Sequence, residues 1–108
     1  MPNRLLIEDV RAALRAGQWL MTHHARERAG KRFIDVEALV EALIRGEILE
    51  EYGKDPRGPS ALVLGYAAGR PLHAVCAFDA DGILLIVTVY EPVLPEWVDE
   101  RTRRSQVQ

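Results

Sequence analysis

The chain has 108 residues, 48% of them apolar and 28% charged, and a formal net charge of −2 at pH 7. This length suits one domain built on a single core, and the composition excludes a disordered or collagen-like chain. A slightly acidic molecule is not drawn as a whole to nucleic acid or to an anionic membrane, so any anion binding must be local.

The first element expected is a helix over about 5–16. Ile7, Val10 and Leu14 recur at helical spacing, Glu8 and Asp9 favour its start, and Gly17 can end it. Thr22 is placed to cap a second helix running to about Gly30. Asp35 is placed to cap a third, with Ile34 positioned to staple onto Leu39. In that third helix Val36, Leu39, Val40, Leu43 and Ile44 make a wide apolar stripe that stops at Gly46. The period then changes. "EILEEY", "ALVLGY", "PLHAVCAF" and "ILLIVTVY" are short runs rich in strand formers, separated by "GKDPRGPS", "AAGR" and "DADG". They predict four strands in an antiparallel meander. Helices first and strands later indicate an α+β fold, with two or three N-terminal helices packed on one face of a four-stranded antiparallel sheet. Pro92 and Pro95 end the last strand, and "PEWVDERTRR" predicts a final helical turn with Pro95 in its first position. No apolar run approaches the ~18 residues of a membrane span, and "MPNRLLIEDV" lacks the layout of a secretory signal, so a cytoplasmic location with no membrane contact is the expectation.

Positive charge is concentrated in one place. "THHARERAGKR", Thr22 to Arg32, holds two histidines and four basic side chains against the single acid Glu27. Residues four apart share a helix face, so His24, Arg28 and Arg32 form a ladder, with Ala25 and Ala29 as a small packed stripe beside it and His23 and Glu27 turned to solvent. If "DADG" is a four-residue loop, Phe78 faces Ile83 and His73 faces Thr88. Alternation then puts Leu84, Ile86, Thr88 and Tyr90 on one sheet face and Val63, Ala74, Cys76, Leu85 and Val87 on the other. Cys76, in an apolar run, reads as a packed thiol. His73 and Cys76 are three apart on a strand and no carboxylate cluster accompanies them, so neither a metal nor another cofactor is expected.

Imidazole, guanidinium and phenol together suit cleavage of a phosphodiester by an internal hydroxyl. That reaction needs a base, an acid, and fixed positive charge where the phosphorane oxygens gain charge. Plainer readings stand beside this one: a histidine satisfied by a backbone carbonyl, and a solvated basic helix face.

Taken jointly, His24, Glu27, Arg28 and Arg32, followed by "GEILEEY", "GPSALVLGY", "GRPLHAVCA" and "TVYEP" ahead of Trp97, resemble the uncharacterised domain family numbered 4258 among domains of unknown function. The resemblance covers about 22–97 of a single 1–108 domain, leaving 1–21 as a helical extension and 98–108 as a tail. That family is similar to the RelE/ParE toxin superfamily, which includes small metal-independent ribonucleases built as helices followed by a curved antiparallel sheet. The resemblance implies an endoribonuclease of the mRNA-interferase type, acting on free or ribosome-bound RNA and neutralised by an antitoxin partner of a small zinc-finger kind. It carries the family's polar positions onto His24, Arg28, Arg32, Tyr52, His73, Thr88 and Tyr90. In that reading Arg28 and Arg32 hold phosphate, proton transfer falls to His24, His73 or Tyr90, and Tyr52 and Thr88 contact the nucleotide. The alternative class is a non-enzymatic interaction module, monomeric or homodimeric, whose basic ladder docks an acidic segment of a partner.

Overall fold

The computed structural model describes residues 5–53 and 58–106. Three helices, α1 (Ile7–Arg15), α2 (His23–Lys31) and α3 (Val36–Ile44), pack on a five-stranded sheet. Its strands are β1 (Trp19–Met21), β2 (Glu47–Tyr52), β3 (Ser60–Ala67), β4 (Arg70–Phe78) and β5 (Leu84–Tyr90), in the spatial order β1-β5-β4-β3-β2. A separate hairpin, β6 (Trp97–Asp99) and β7 (Thr102–Arg103), precedes a short 3-10 turn.

The class is α+β, but the sheet is mixed and has one strand more than the four-stranded antiparallel sheet expected. The extra strand is β1, which pairs in parallel with β5, Trp19 against Leu84 and Met21 against Ile86. Three residues between a helix stop and a helix cap carry too little periodicity to announce a strand. Pairing with β5 nevertheless satisfies their main-chain groups and fixes where α2 begins.

The helix ends follow local chemistry. α1 and α2 close in the same way, with a 6→1 and a 5→2 backbone bond at the C-terminus: Gln18 N–H to Ala13 at 2.9 Å and Gly17 N–H to Leu14 at 3.3 Å in α1, Ile34 N–H to Ala29 at 2.9 Å and Phe33 N–H to Gly30 at 3.3 Å in α2. This motif requires a left-handed residue just past the cap. Gly17 (φ +73) fills the place in α1, and Phe33 (φ +54) fills it in α2. Asp35 caps α3 by accepting the Ala38 N–H at 3.1 Å. The other end of α3 is closed by Arg11 of α1, whose guanidinium donates to Ile44 O at 2.9 Å and Gly46 O at 3.0 Å. Gly65 lets α3 settle onto β3, since a Cβ there would stand 2.5 Å from Ala42 O.

Under the helices lie Val63, Ala74, Cys76, Leu84, Ile86 and Val89, meeting Val10, Leu14, Ala25, Leu39 and Leu43 in one core. Each fully buried branched aliphatic contributes about 1.5–3 kcal/mol of transfer free energy. Burial pushes the Cys76 thiol up to about 12, as suits a packed thiol.

The β4–β5 register differs from the one expected. Phe78 faces Leu84, one residue out from the expected partner, and a bulge opposite Val75 and Cys76 adds a further residue, so that His73 faces Tyr90 instead of Thr88. A single slip would have turned His73 to the wrong face; the bulge restores the parity. Alternation along β5 is broken there as well. Leu84, Ile86 and Val89 lie on the helix side, while Leu85, Thr88 and Tyr90 share the face of Ala77, Val75 and His73. The two expected face sets are corrected accordingly: Val63, Ala74 and Cys76 lie beneath the helices, Leu85 lies on the opposite face, and Val87 is the extra residue of the bulge.

The expected final helical turn is instead the β6–β7 hairpin. Asp99 accepts the Arg101 N–H at 2.8 Å, which reverses the chain, and Trp97 is buried against the sheet. The hairpin lies over the sheet face opposite the helices, held by Arg101 on Glu47 at 2.5 Å, Tyr66 on Glu100 at 2.9 Å and Arg103 on Glu50 at 2.6 Å. No helix among the described residues is long and apolar enough to cross a membrane.

Candidate functional site

Thr22 sets the position of the basic helix. Its side-chain oxygen accepts the Ala25 N–H at 3.1 Å, as a cap should, and its hydroxyl proton goes to the Val87 carbonyl at 2.7 Å. Val87 is the bulged residue of β5, so one side chain serves both the helix start and the strand irregularity. Ala25 and Ala29 are buried against the sheet, and α2 therefore lies close along β5.

At the far end of α2, Arg70 of β4 makes the matching connection. One guanidinium nitrogen donates to the Arg32 carbonyl at 2.8 Å and to Glu91 Oε1 at 2.6 Å. The Arg70 guanidinium holds the Glu91 carboxyl below the usual carboxylate range, and nearby Arg32 adds to the effect. The pair joins the stretch "GRPLHAV" to "TVYEP" at one end, as His73 facing Tyr90 joins them a little further in.

Together these links leave a cleft of about 410 Å³ lined by Arg28, Arg32, Tyr90, Glu91, Trp97 and Arg103, with the 93–96 loop as its outer wall. Among the described residues, neither Arg28 nor Arg32 makes an ion-pair contact, and Arg32 acts on the Glu91 carboxylate only through space, whereas Arg103 is engaged by Glu50 through two bonds, at 2.6 and 2.8 Å, and stacks over the Trp97 ring at 4.5 Å. The positive charge in the cleft that is free of ion-pair contacts therefore comes from α2 and its C-cap.

His73 forms the inner layer. It is fully buried, with 0% exposure, and its ring meets Trp97 edge to face at 4.4 Å and Tyr90 at 5.2 Å. Nε2 lies 2.7 Å from the Glu100 carbonyl, which only accepts, so Nε2 carries the proton of the neutral ring. Nδ1 is then an acceptor, and the Tyr90 hydroxyl donates to it across 3.1 Å. Burial pushes the His73 pKa down, opposed by the Glu100 carbonyl and the Glu50 charge, and so keeps the ring neutral. Burial pushes the Tyr90 phenol up, opposed by the Trp97 indole. Tyr90 lines the cleft, while the imidazole behind it is shielded from solvent.

Of the residues singled out in the sequence, the cleft brings together Arg28, Arg32 and Tyr90, with His73 directly behind Tyr90. His24 is exposed one turn before Arg28 and does not line the cleft. Thr88 is half-buried opposite Val75, also away from the lining. Tyr52 lies on β2 and donates to Glu50 at 2.5 Å; burial and that carboxylate push its phenol up to about 12. It reaches the cleft only through Glu50 and Arg103. The residues that sequence reasoning missed are Arg70, Glu91, Glu50 and Arg103, all members of ion pairs between distant segments. Among the described residues, no group of three or more His, Cys, Asp or Glu side chains could hold a metal ion.

No curated protein and no solved structure matches the chain. Residues 21–91 match the family described as "Domain of unknown function (DUF4258)", a span that runs from the end of β1 to Glu91 and takes in α2, the Arg70–Glu91 pair and the His73–Tyr90 pair but not Trp97, Glu100 or Arg103. With well over half its length matched, the chain belongs to this family.

Proposed function

We propose that the chain is a RelE/ParE-like toxin acting as a metal-independent endoribonuclease, with an antitoxin as its natural partner. The observation that carries this reading is the meeting of two guanidinium groups without ion-pair contacts, Arg28 and Arg32, with the Tyr90–His73 pair at one cleft. A guanidinium grips phosphate oxygens in a planar fork, so Arg28 and Arg32 neutralise the charge that builds on the phosphorane.

The step is attack by a ribose 2′-hydroxyl on the adjacent phosphorus. The new O–P bond closes a 2′,3′-cyclic phosphate and the P–O bond to the 5′-oxygen breaks. Tyr90 oxygen takes the 2′-hydroxyl proton while its own proton passes to Nδ1 of His73, leaving an imidazolium held by the Glu100 carbonyl and faced by the Glu50 charge. The departing 5′-oxygen leaves toward the open side of the cleft and takes its proton from water; His24, one turn before Arg28, lies outside the lining and has no proton-transfer step in this scheme. Tyr52 acts indirectly, by fixing Glu50 and hence Arg103, and Thr88 has no contact with the nucleotide in this scheme.

The experiment is RNA cleavage by purified protein in the presence of EDTA, free and ribosome-bound, read on a gel with end-group analysis for the cyclic phosphate. Arg28→Ala should lower cleavage about a hundredfold, as removal of one charge-stabilising donor does. Intact RNA in both assays overturns the reading. It would favour the interaction module, for which the exposed ladder on α2 is the supporting surface.

A further inference from the structure

We infer that Phe33 is a stacking platform for an unpaired RNA base, and that the cleft therefore takes single-stranded RNA, with the phosphate on Arg28 and Arg32 and a neighbouring base on the Phe33 ring; this rests on the nuclease reading above.

Phe33 is unfavourable twice over where it stands. It is 92% exposed, the most exposed large apolar side chain among the described residues. It also occupies, at φ +54, the left-handed position that closes α2. The same motif at the end of α1 is filled by Gly17, at φ +73, which meets no steric penalty there. An aromatic residue held in the left-handed region and presented to water gains nothing for the fold from either property. Backbone strain of this kind persists where the surroundings enforce it, and it concentrates at functional sites.

The surroundings do enforce it. Ile34, the next residue, is buried and bonded back to Ala29, and the Arg32 carbonyl is held by Arg70. Phe33 is thus clamped on both sides, and its backbone is one peptide unit, about 3.8 Å, from that of a cleft arginine. An exposed ring on the residue next to a cleft arginine fits a nucleotide, whose base lies one sugar from its phosphate. Every base has a face that stacks on an aromatic ring, whereas a base inside a duplex already has both faces covered. Single-stranded RNA is the ligand that satisfies ring and charge together.

The test measures binding of a fluorescently labelled single-stranded RNA, made uncleavable by 2′-deoxy substitution, to the full chain. An abasic oligonucleotide of the same length and an RNA duplex serve as parallel probes. Phe33→Gly and Phe33→Leu should each bind the single strand roughly tenfold more weakly. Phe33→Tyr should bind as the parent does, and the abasic strand should bind all four proteins alike. Phe33→Gly should also melt at the same or a higher temperature, which separates loss of a contact from loss of the fold. Undiminished binding of the single strand by Phe33→Gly overturns the stacking role, as does a parent protein that prefers the duplex. If Arg28→Ala and Arg32→Ala also leave binding unchanged, the phosphate cleft fails with it; if they weaken binding while the Phe33 variants do not, only the platform falls.

Discussion

Arg70 and Glu91 meet at 2.6 Å, and the same guanidinium holds the last carbonyl of the basic helix, that of Arg32, at 2.8 Å. One side chain on β4 thereby ties the end of β5 to the end of α2, and the separation between Tyr90 and Arg32 depends on it. The pair is about one-third exposed on each side, so water screens it and its own contribution to stability is small. Arg70→Met should therefore unfold at nearly the parent urea concentration yet cleave RNA about tenfold more slowly. The double variant with Glu91→Gln should lose little more than either single one, because both act on the same link.

Tyr90→Phe keeps the ring that lines the cleft and removes the hydroxyl that donates to His73. Under the proposed mechanism cleavage should fall by about 10²–10⁴ while RNA binding stays near the parent level. It also leaves Nδ1 of a fully buried ring without its donor, at a cost of about 1–3 kcal/mol. Single-turnover kinetics and urea unfolding on the same preparation separate the two effects. Equal losses in binding and rate would instead place Tyr90 in substrate affinity alone.

Stability should depend on pH through His73. Its folded-state pKa is depressed below the ordinary value of 6.5, so the unfolded chain binds the extra proton first. The stabilisation from the neutral buried ring is thus complete above that value and is lost as pH falls through it toward the depressed one. Urea midpoints measured from pH 8 down to pH 5 should decline below about 6.5, and His73→Asn should flatten that decline. A second fall belongs to Glu50 and Glu91, whose depressed values make their contribution complete above 4.5 and lost as pH drops further.

Thr22→Val should destabilise the fold by about 1–3 kcal/mol, since it removes the α2 cap and leaves the Val87 carbonyl without its donor. Thr22→Ser, which keeps both bonds, should recover most of the loss. Thermal unfolding of the two variants against the parent is the measurement.

Features set by neighbours in the chain were legible in the sequence. Thr22 and Asp35 announced their helices because a cap is a contact over three residues, and Ala25 and Ala29 marked the packed side of α2 through spacing alone. What was hidden depends on distant partners. β1 is a strand only because β5 accepts it, and the β4–β5 bulge leaves no local mark, so the expected partner of His73 was wrong although its face was right. The hairpin was masked by Pro95, which starts helices and reverse turns alike. In the candidate site, the arginine ladder and Tyr90 could be read from type and spacing. Arg70, Glu91 and Arg103 could not, because a guanidinium acquires its role only when its carboxylate is known.

The oxygen that orients the His73 ring belongs to the main chain at Glu100. Exchanging the side chain there removes the Tyr66 contact but leaves the acceptor in place, so point changes at that position spare the imidazole's orientation. Only a change of length between Asp99 and Thr102 would withdraw it. Loops that tolerate insertions are common on protein surfaces, and this one, with the look of a tail, should resist them.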